Sequence, residues 1–322
     1  MYLALDIETG ERAKMALPRE LIELGQKVSN WGRWGADDRR GTLNLIDAVA
    51  VNRGLASARQ GKVFSLAMPF NEEGPQLGFI PGRINPKRTM IQIDESLTGD
   101  KSDFTTSDDA VEMGVQSATH WDALAHVSYN GLLYNGVPSA SITDAGSADL
   151  GIDNYGAIAT RGVLLDVARA LGAEMLPDGY AITGDDLDIA ARHAGVTVAP
   201  GDIICIRTGW MHWLRVNEKL HYSFPTPGPS PKSIEWFRDH DVAGVATDTL
   251  VFENYPAEDP AANLAVHMIH LRDIGLAQGQ NWALDELAAD CLADGQYDFL
   301  LTATPIPFTH AVGGPVAPTA IK

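Results

Sequence analysis

The sequence predicts an α/β fold, a mixed sheet or barrel surrounded by helices, and three features lead to it. Short runs rich in Val, Ile and Leu and bounded by Gly, TRGVLLDVAR and GDIICIRTGW, have the length and composition of buried strands. Between them, TGDDLDIAARHAG carries helix signals at both ends. Thr183 with Asp186 three residues on forms a capping box, Leu187, Ala190 and Ala191 make an apolar stripe, and Gly195 closes the helix. The alternation then continues: SPKSIEWFRDHDV reads as a helix, VAGVATDTLVF as a strand, and NLAVHMIHLRDIGL and ALDELAADCLADG as two more helices.

Upstream, the spacing predicts helices over Pro18–Val28 and Asp47–Gln60. The rest of the first quarter (NWGRWGADDRRGTLNLI, VFSLAMPFNEEGP, PGRINPKR) reads as loops and brief strands. The Gly- and Pro-rich end, IPFTHAVGGPVAPTAIK, is expected to wrap the surface. No linker or repeat interrupts the 322 residues, so we expect one domain over 1–322, with residues 1–60 an N-terminal extension packed on it.

Charge narrows the partners. Lys and Arg number 24 against 42 Asp and Glu, a formal net charge of -18, which repels nucleic acid and anionic membranes; a small-molecule substrate is the expected partner. The start, MYLALDIETGERAKMALP, lacks the basic flank and apolar core of a secretory signal, and no apolar run has the length of a membrane span. Cys205 and Cys291 lack a CxxC companion and read as reduced, buried thiols, consistent with a cytoplasmic protein.

The stretch MGVQSATHWDALAHV carries the chemistry. If QSATHWD is extended, Gln116, Ala118, His120 and Asp122 point to one face, gathering three donors that a divalent metal can use, with a small Ala between them. His126, past a turn, reaches the same pocket. The bland reading makes His120 a satisfied core histidine, Asp122 a cap and His126 a surface residue, and spacing alone leaves both open. No GxSxG elbow or GxxxxGK[ST] loop is present, and neither Cys has a nearby His, so we expect no covalent nucleophile, nucleotide or organic cofactor.

Trp31, Trp34, Phe70, Phe79 and Trp210 are candidate pocket walls or ordinary core. Arg207, after a buried strand in RTGW, is either a carboxylate receptor or part of a structural ion pair, and Arg83 is open in the same way. His310 sits in a Pro/Gly loop that can approach the site. His193, His212, His221 and His240 read as solvent-facing or structural.

Read with Gln116, THWDALAHV resembles the signature of the cyclase family of metal-dependent hydrolases, which includes bacterial kynurenine formamidase and isatin hydrolase. The family pattern is His, three residues, His, one residue, Asp, three residues, His; here Gln116 takes the first place, followed by His120, Asp122 and His126. WGADDRRGTLNLI, RGVLLDVAR, GDIICIRTGW, VATDTLVFE and AVHMIHLRDIGLAQGQNWALDELA look like further landmarks in family order, nearly across the chain, closest to the branch of more than 300 residues.

The resemblance implies a swivelling β/β/α type of fold around a mixed β-barrel and a homodimer or homotetramer. It implies a metal on Gln116, His120 and Asp122, with His126 handling the proton. A later His before a Glu completes two-metal members; His267 fits that spacing best, His270 less well, and the Glu position holds Gln280. His267 is therefore the second catalytic candidate. An amide at 116 and the loss of an anionic bridge at 280 imply one divalent ion rather than two, Mn or Zn, with Mn favoured by oxygen donors. The implied activity is hydrolysis, by a metal-activated water, of a cyclic, N-formyl or N-acyl amide or of a lactone or ester. A non-catalytic small-molecule-binding relative and a metal-dependent isomerase or ring-closing enzyme are the alternatives.

Overall fold

In the computed structural model, which describes residues 17–322, the strands run in chain order: β1 (Val63–Ser65), β2 (Lys87–Ser96), β3 (Thr105–Glu112), β4 (His120–Asp122), β5 (Ala159–Asp166), β6 (Ala181–Ile182), β7 (Ile203–Arg207), β8 (Gly228–Pro229), β9 (Gly244–Thr247), β10 (Ala277–Gln280), β11 (Asp298–Thr302), β12 (Gly313–Pro315) and β13 (Thr319–Ile321). The expectations placed on residues 1–16 lie outside the described residues.

Nine strands form one mixed sheet in the order β1-β13-β11-β5-β7-β9-β10-β4-β12. The central four, β5, β7, β9 and β10, are parallel, and every pairing outside them is antiparallel. The sheet curls into a half-barrel with β1 and β12 at its edges, so the predicted α/β class is found and the expected barrel stays open.

Period-two alternation explains why the central runs look uniformly apolar. Val163, Leu165, Ile204, Ile206 and Val245 face one hydrophobic core, while Leu164, Ile203, Cys205 and Ala246 face another. Both faces are buried, so no polar alternation survives in the sequence. Cys205 and Cys291 are buried and unbridged, as expected.

The helix predicted from TGDDLDIAARHAG spans Gly184–Ala194. Thr183 Oγ1 accepts from the Asp186 N–H at 3.3 Å, the Asp186 carboxylate accepts from the Thr183 N–H at 2.8 Å, and Gly195 ends the helix at φ +65°. The two early helices form at Arg19–Val28 and Ala48–Ser57; the first buries Leu21, Gly25 and Val28, and Asp47 caps the second. The Asn30 N–H donates to the Asp273 carbonyl, and Thr42 Oγ1 to that of Ala243, tying this region to the sheet's helical cover.

Two expectations need correction, and one segment is new. The C-terminal segment does not wrap the surface: β12 pairs with β4, and β13 lies between β1 and β11, all completing the main sheet. The helix read over NLAVHMIHLRDIGL is a single α turn, Ala265–Met268, followed by a π-helical turn, Ile269–Ile274. Residues 87–112, left unassigned by the sequence, form a β2–β3 hairpin exposed along nearly its whole length, which erases the alternation by which a half-buried strand is recognised.

β4 is only three residues long, and its register sets the site. His120 lies opposite Gln280 of β10 and Pro315 of β12, and Asp122 opposite Gln278 and Gly313. Residues paired across neighbouring strands project to the same face, so β4 and β10 supply His120, Asp122, Gln278 and Gln280 to one side of the sheet.

Candidate functional site

Asp122 is the centre of the arrangement. Its carboxylate is fully buried and lies within 3.5 Å of His120 Nε2, 3.8 Å of His126 Nε2 and 3.9 Å of His267 Nε2. Both oxygens also accept from amides: Gln280 Nε2 donates to Oδ2 at 2.6 Å and Gln116 Nε2 donates to Oδ1. Burial alone would raise the Asp122 pKa, but His126, His120 and His267 outweigh it and hold the carboxyl well below the usual carboxylate range. The Tyr155 hydroxyl donates to the Asp122 backbone carbonyl at 2.6 Å and fixes the strand end.

The structure therefore brings together Gln116, His120, Asp122, His126 and His267, all five residues singled out in the sequence. The route differs at Gln116. The expected strand over 116–122 does not form; Gln116 sits in a turn closed by the Ser117 N–H on the Gly114 carbonyl at 3.0 Å, and the strand begins at His120. Gln116 reaches Asp122 because β12 offers a glycine: a Cβ on Gly313 would lie 2.5 Å from Gln116 Cγ.

Each imidazole is oriented differently. His120 Nδ1 donates to the Ala118 carbonyl at 2.7 Å, which leaves Nε2 as a lone pair, buried and without a hydrogen-bond partner among the described residues. The Asn281 side chain also donates to Ala118 at 3.2 Å and steadies that carbonyl. His126, in the turn after β4, is 23% exposed and opens the site to solvent; burial lowers its pKa to about 4, against the pull of Asp122, so its ring is neutral at physiological pH.

His267 faces the site and His270 does not. His267 Nε2 accepts from Gln280 Nε2 at 3.2 Å, whereas the His270 ring packs edge-on against Phe237 and Phe252.

Glu253 is the residue that sequence reasoning missed. Almost fully buried, it accepts the backbone N–H groups of Val266 and His267 and lies 2.5 Å from His267 Nδ1. Burial pulls the His267 pKa down, but the hydrogen bond and charge of Glu253 prevail and raise it. The only signal was a charged residue inside the apolar run TLVFENY.

Arg207 resolves to the structural alternative: it is buried in ion pairs with Asp166 at 3.0 Å and Asp285 at 2.7 Å. Arg83 instead reaches the site, with Nη2 donating to Gln116 Oε1 at 3.3 Å. His310 stays with Asp153 and Gly146 rather than at Asp122, and Trp210 is core. Trp31 lines a separate cleft of about 280 Å³ with Tyr129 and Arg272.

Whether these residues suit a divalent ion is decided by their electron pairs. As they stand, no three His, Cys, Asp or Glu among the described residues are arranged to hold an ion, and both Asp122 oxygens are occupied by amide donors. Yet the unpartnered His120 Nε2 points at an ionised carboxylate oxygen 3.5 Å away, an opposition of lone pairs that a cation between them relieves. Turning over the amides of Gln116 and Gln280 would present oxygens to the same point. The donor set, imidazole nitrogen, carboxylate and amide oxygen, fits a divalent metal.

Residues 64–254 match the protein family described as "Putative cyclase". A crystal structure of a novel cyclase superposes with a TM-score of 0.83 at 38% identity, covering 91% of this chain and 99% of that one. An isatin hydrolase bound to the product analogue thioisatinate shares the fold at a TM-score of 0.59 and 18% identity, covering 85% of this chain and 98% of its own. Isatin hydrolase A from Ralstonia solanacearum gives 0.58 and 18%, with coverage of 84% and 95%. No curated protein matches the chain.

Proposed function

The chain belongs to the cyclase family, and from that premise we propose that it is a metal-dependent hydrolase of an amide, cyclic or N-acyl, or of a lactone or ester of a small molecule. The observation that carries this reading is the convergence of three imidazole Nε2 atoms on one buried, ionised carboxylate. Two of the solved structures that share the fold are isatin hydrolases.

Gln116, His120 and Asp122 would hold one divalent ion, Mn or Zn. When bound, such an ion acts as a Lewis acid and brings the pKa of a ligated water to about 7. The protein's own part is proton handling and orientation. His126, neutral and at the mouth of the site, takes a proton at Nε2 from the attacking water and returns it to the departing nitrogen or oxygen. His267, anchored through Nδ1 to Glu253, keeps Nε2 turned inward as the second proton-handling group.

One observation favours a second reading, a small-molecule-binding relative without turnover: both Asp122 oxygens are held by amide N–H groups. Elemental analysis of protein purified without added metal or chelator, together with a hydrolysis screen of cyclic amides, formamides and lactones, decides between them. One Mn or Zn per chain with turnover supports the hydrolase. Protein that carries no metal, takes up no added Mn²⁺ and hydrolyses none of the panel overturns it.

A further inference from the structure

Among the described residues, Arg83 and Arg40 are the partly buried arginines without a carboxylate partner, and of the two Arg83 is the one hydrogen-bonded to a residue of the site. Arg33, Arg53, Arg161, Arg207 and Arg238 each pair with an aspartate, as a strongly acidic chain makes easy. Arg83 is half-buried, yet no carboxylate lies within ion-pair distance among the described residues. Its side chain makes a single hydrogen bond there, from Nη2 to the neutral Gln116 Oε1, so Nε and Nη1 have no protein acceptor. A guanidinium stays charged under all ordinary conditions, and taking that charge partly out of water without a counter-ion is costly.

The position is built rather than incidental. The Arg83 N–H donates to the Ile80 carbonyl at 3.1 Å, and the Gly114 N–H donates to the Ile84 carbonyl at 3.1 Å, joining the two segments that enter and leave the β2–β3 hairpin. The arginine stem lies on Gly114, where a Cβ would come within 2.9 Å of Arg83 Cγ and 3.3 Å of its Cα. The stretch of chain that supplies Gln116 therefore also seats, through Gly114, an arginine without an ion pair at the edge of the site.

Resting on the hydrolase reading, we propose that Arg83 is the specificity-determining residue for a substrate that carries a carboxylate in addition to its scissile bond. Nη2 spends one of its two N–H groups on Gln116, so one of the guanidinium's two paired edges, Nε with Nη2 or Nη1 with Nη2, stays open to match the two oxygens of a carboxylate, and the net charge of -18 makes such a local receptor valuable for an anionic substrate. An arginine that only balanced Asp122 would alter stability and leave ligand choice untouched.

The test measures binding, not turnover. Dissociation constants for benzoate against benzamide, and butyrate against butyramide, are determined by ligand-observed NMR on the protein as purified. The carboxylates are expected to bind at least about tenfold more tightly than their neutral isosteres. Arg83→Met should erase that ratio, and Arg83→Lys should keep part of it. Gly114→Ala, which displaces the arginine stem without removing its charge, should reduce it, so the test survives if the Met variant fails to fold. Equal binding of acid and amide by the unaltered protein, or an unchanged ratio in Arg83→Met, overturns the proposal. Carboxylate preference without turnover of any amide or lactone would sink the hydrolase reading alone; turnover without preference would sink this inference alone.

Discussion

Oε1 of Glu253 meets His267 at two points, accepting its backbone N–H at 2.8 Å and lying 2.5 Å from its Nδ1. One buried carboxylate thus fixes both the start of the Ala265–Met268 turn and the tautomer of the ring that the turn carries. With the proton held on Nδ1, Nε2 accepts from Gln280 and lies 3.9 Å from Asp122 Oδ2.

Glu253→Gln should separate these roles. The amide oxygen can still accept the backbone N–H, so the fold is expected to survive, but the loss of charge removes what raises the His267 pKa. Turnover should fall about 10–100-fold, as is typical when the partner of a site histidine is lost. The limb of the kcat-pH profile that reports His267 should move to lower pH. A variant with unaltered kcat and profile would make Glu253 a structural cap only.

His120 and His126 lie almost equally far from Asp122 but differ in exposure and in orientation. His120→Ala removes a buried lone pair with no protein partner and should abolish metal retention. His126→Ala removes the partly exposed ring and should leave the metal content unchanged while lowering kcat by about 10²–10⁴-fold. Elemental analysis beside steady-state kinetics distinguishes the two; loss of metal in the His126 variant would reverse the assignment.

His270 makes stability depend on acid. It is fully buried, and burial, reinforced by His267 and only partly opposed by the Gln278 side chain, lowers its pKa to about 3. The unfolded chain, with an ordinary imidazole near 6.5, binds more protons than the folded chain between those two values. Stability is therefore lost as pH falls from about 6.5 towards 3, by at most about 1.4 kcal/mol per pH unit, and is unaffected above that window. Urea unfolding of His270→Leu between pH 7 and 4 should show a shallower decline than the unaltered protein; parallel declines would exclude His270 as the source.

The sequence made the parts with local rules readable. Thr183, Asp186 and Gly195 act within one helix, and their spacing alone specifies the cap observed. His120, Asp122 and His126 are close in the chain, so any compact path gathers them. What escaped depends on distant contacts. Gln116 reaches Asp122 only because Gly313, nearly two hundred residues later, leaves room for it, and the segment containing Gly313 looked like a surface tail. Glu253 and His267 are separated by a turn with no regular period. Arg83 and Arg207 are indistinguishable in sequence, because the strand end and helix start that bring Asp166 and Asp285 to one, and the turn that brings a neutral amide to the other, are distant in the chain.

That last contrast yields a prediction in which the two arginines must behave oppositely. Arg207 is almost fully buried, bonded to Asp166 and Asp285 and, more weakly, to the Glu174 carbonyl, so every donor direction it uses is committed to protein. Removing it in Arg207→Met strands Asp166 with only Arg169 as partner, and breaking a buried pair in this way costs about 3–5 kcal/mol. Asp285 keeps Arg215, which limits the loss on that side. We expect a lower urea midpoint with kcat/KM unchanged at temperatures where the variant remains folded. Arg83→Met should do the reverse, leaving the midpoint nearly unaltered while changing ligand preference, because its guanidinium has no ion pair to lose. If Arg207→Met were stable but catalytically impaired, the buried ion-pair network would have to extend to the site, and the division drawn here between structural and substrate-facing arginine would fail.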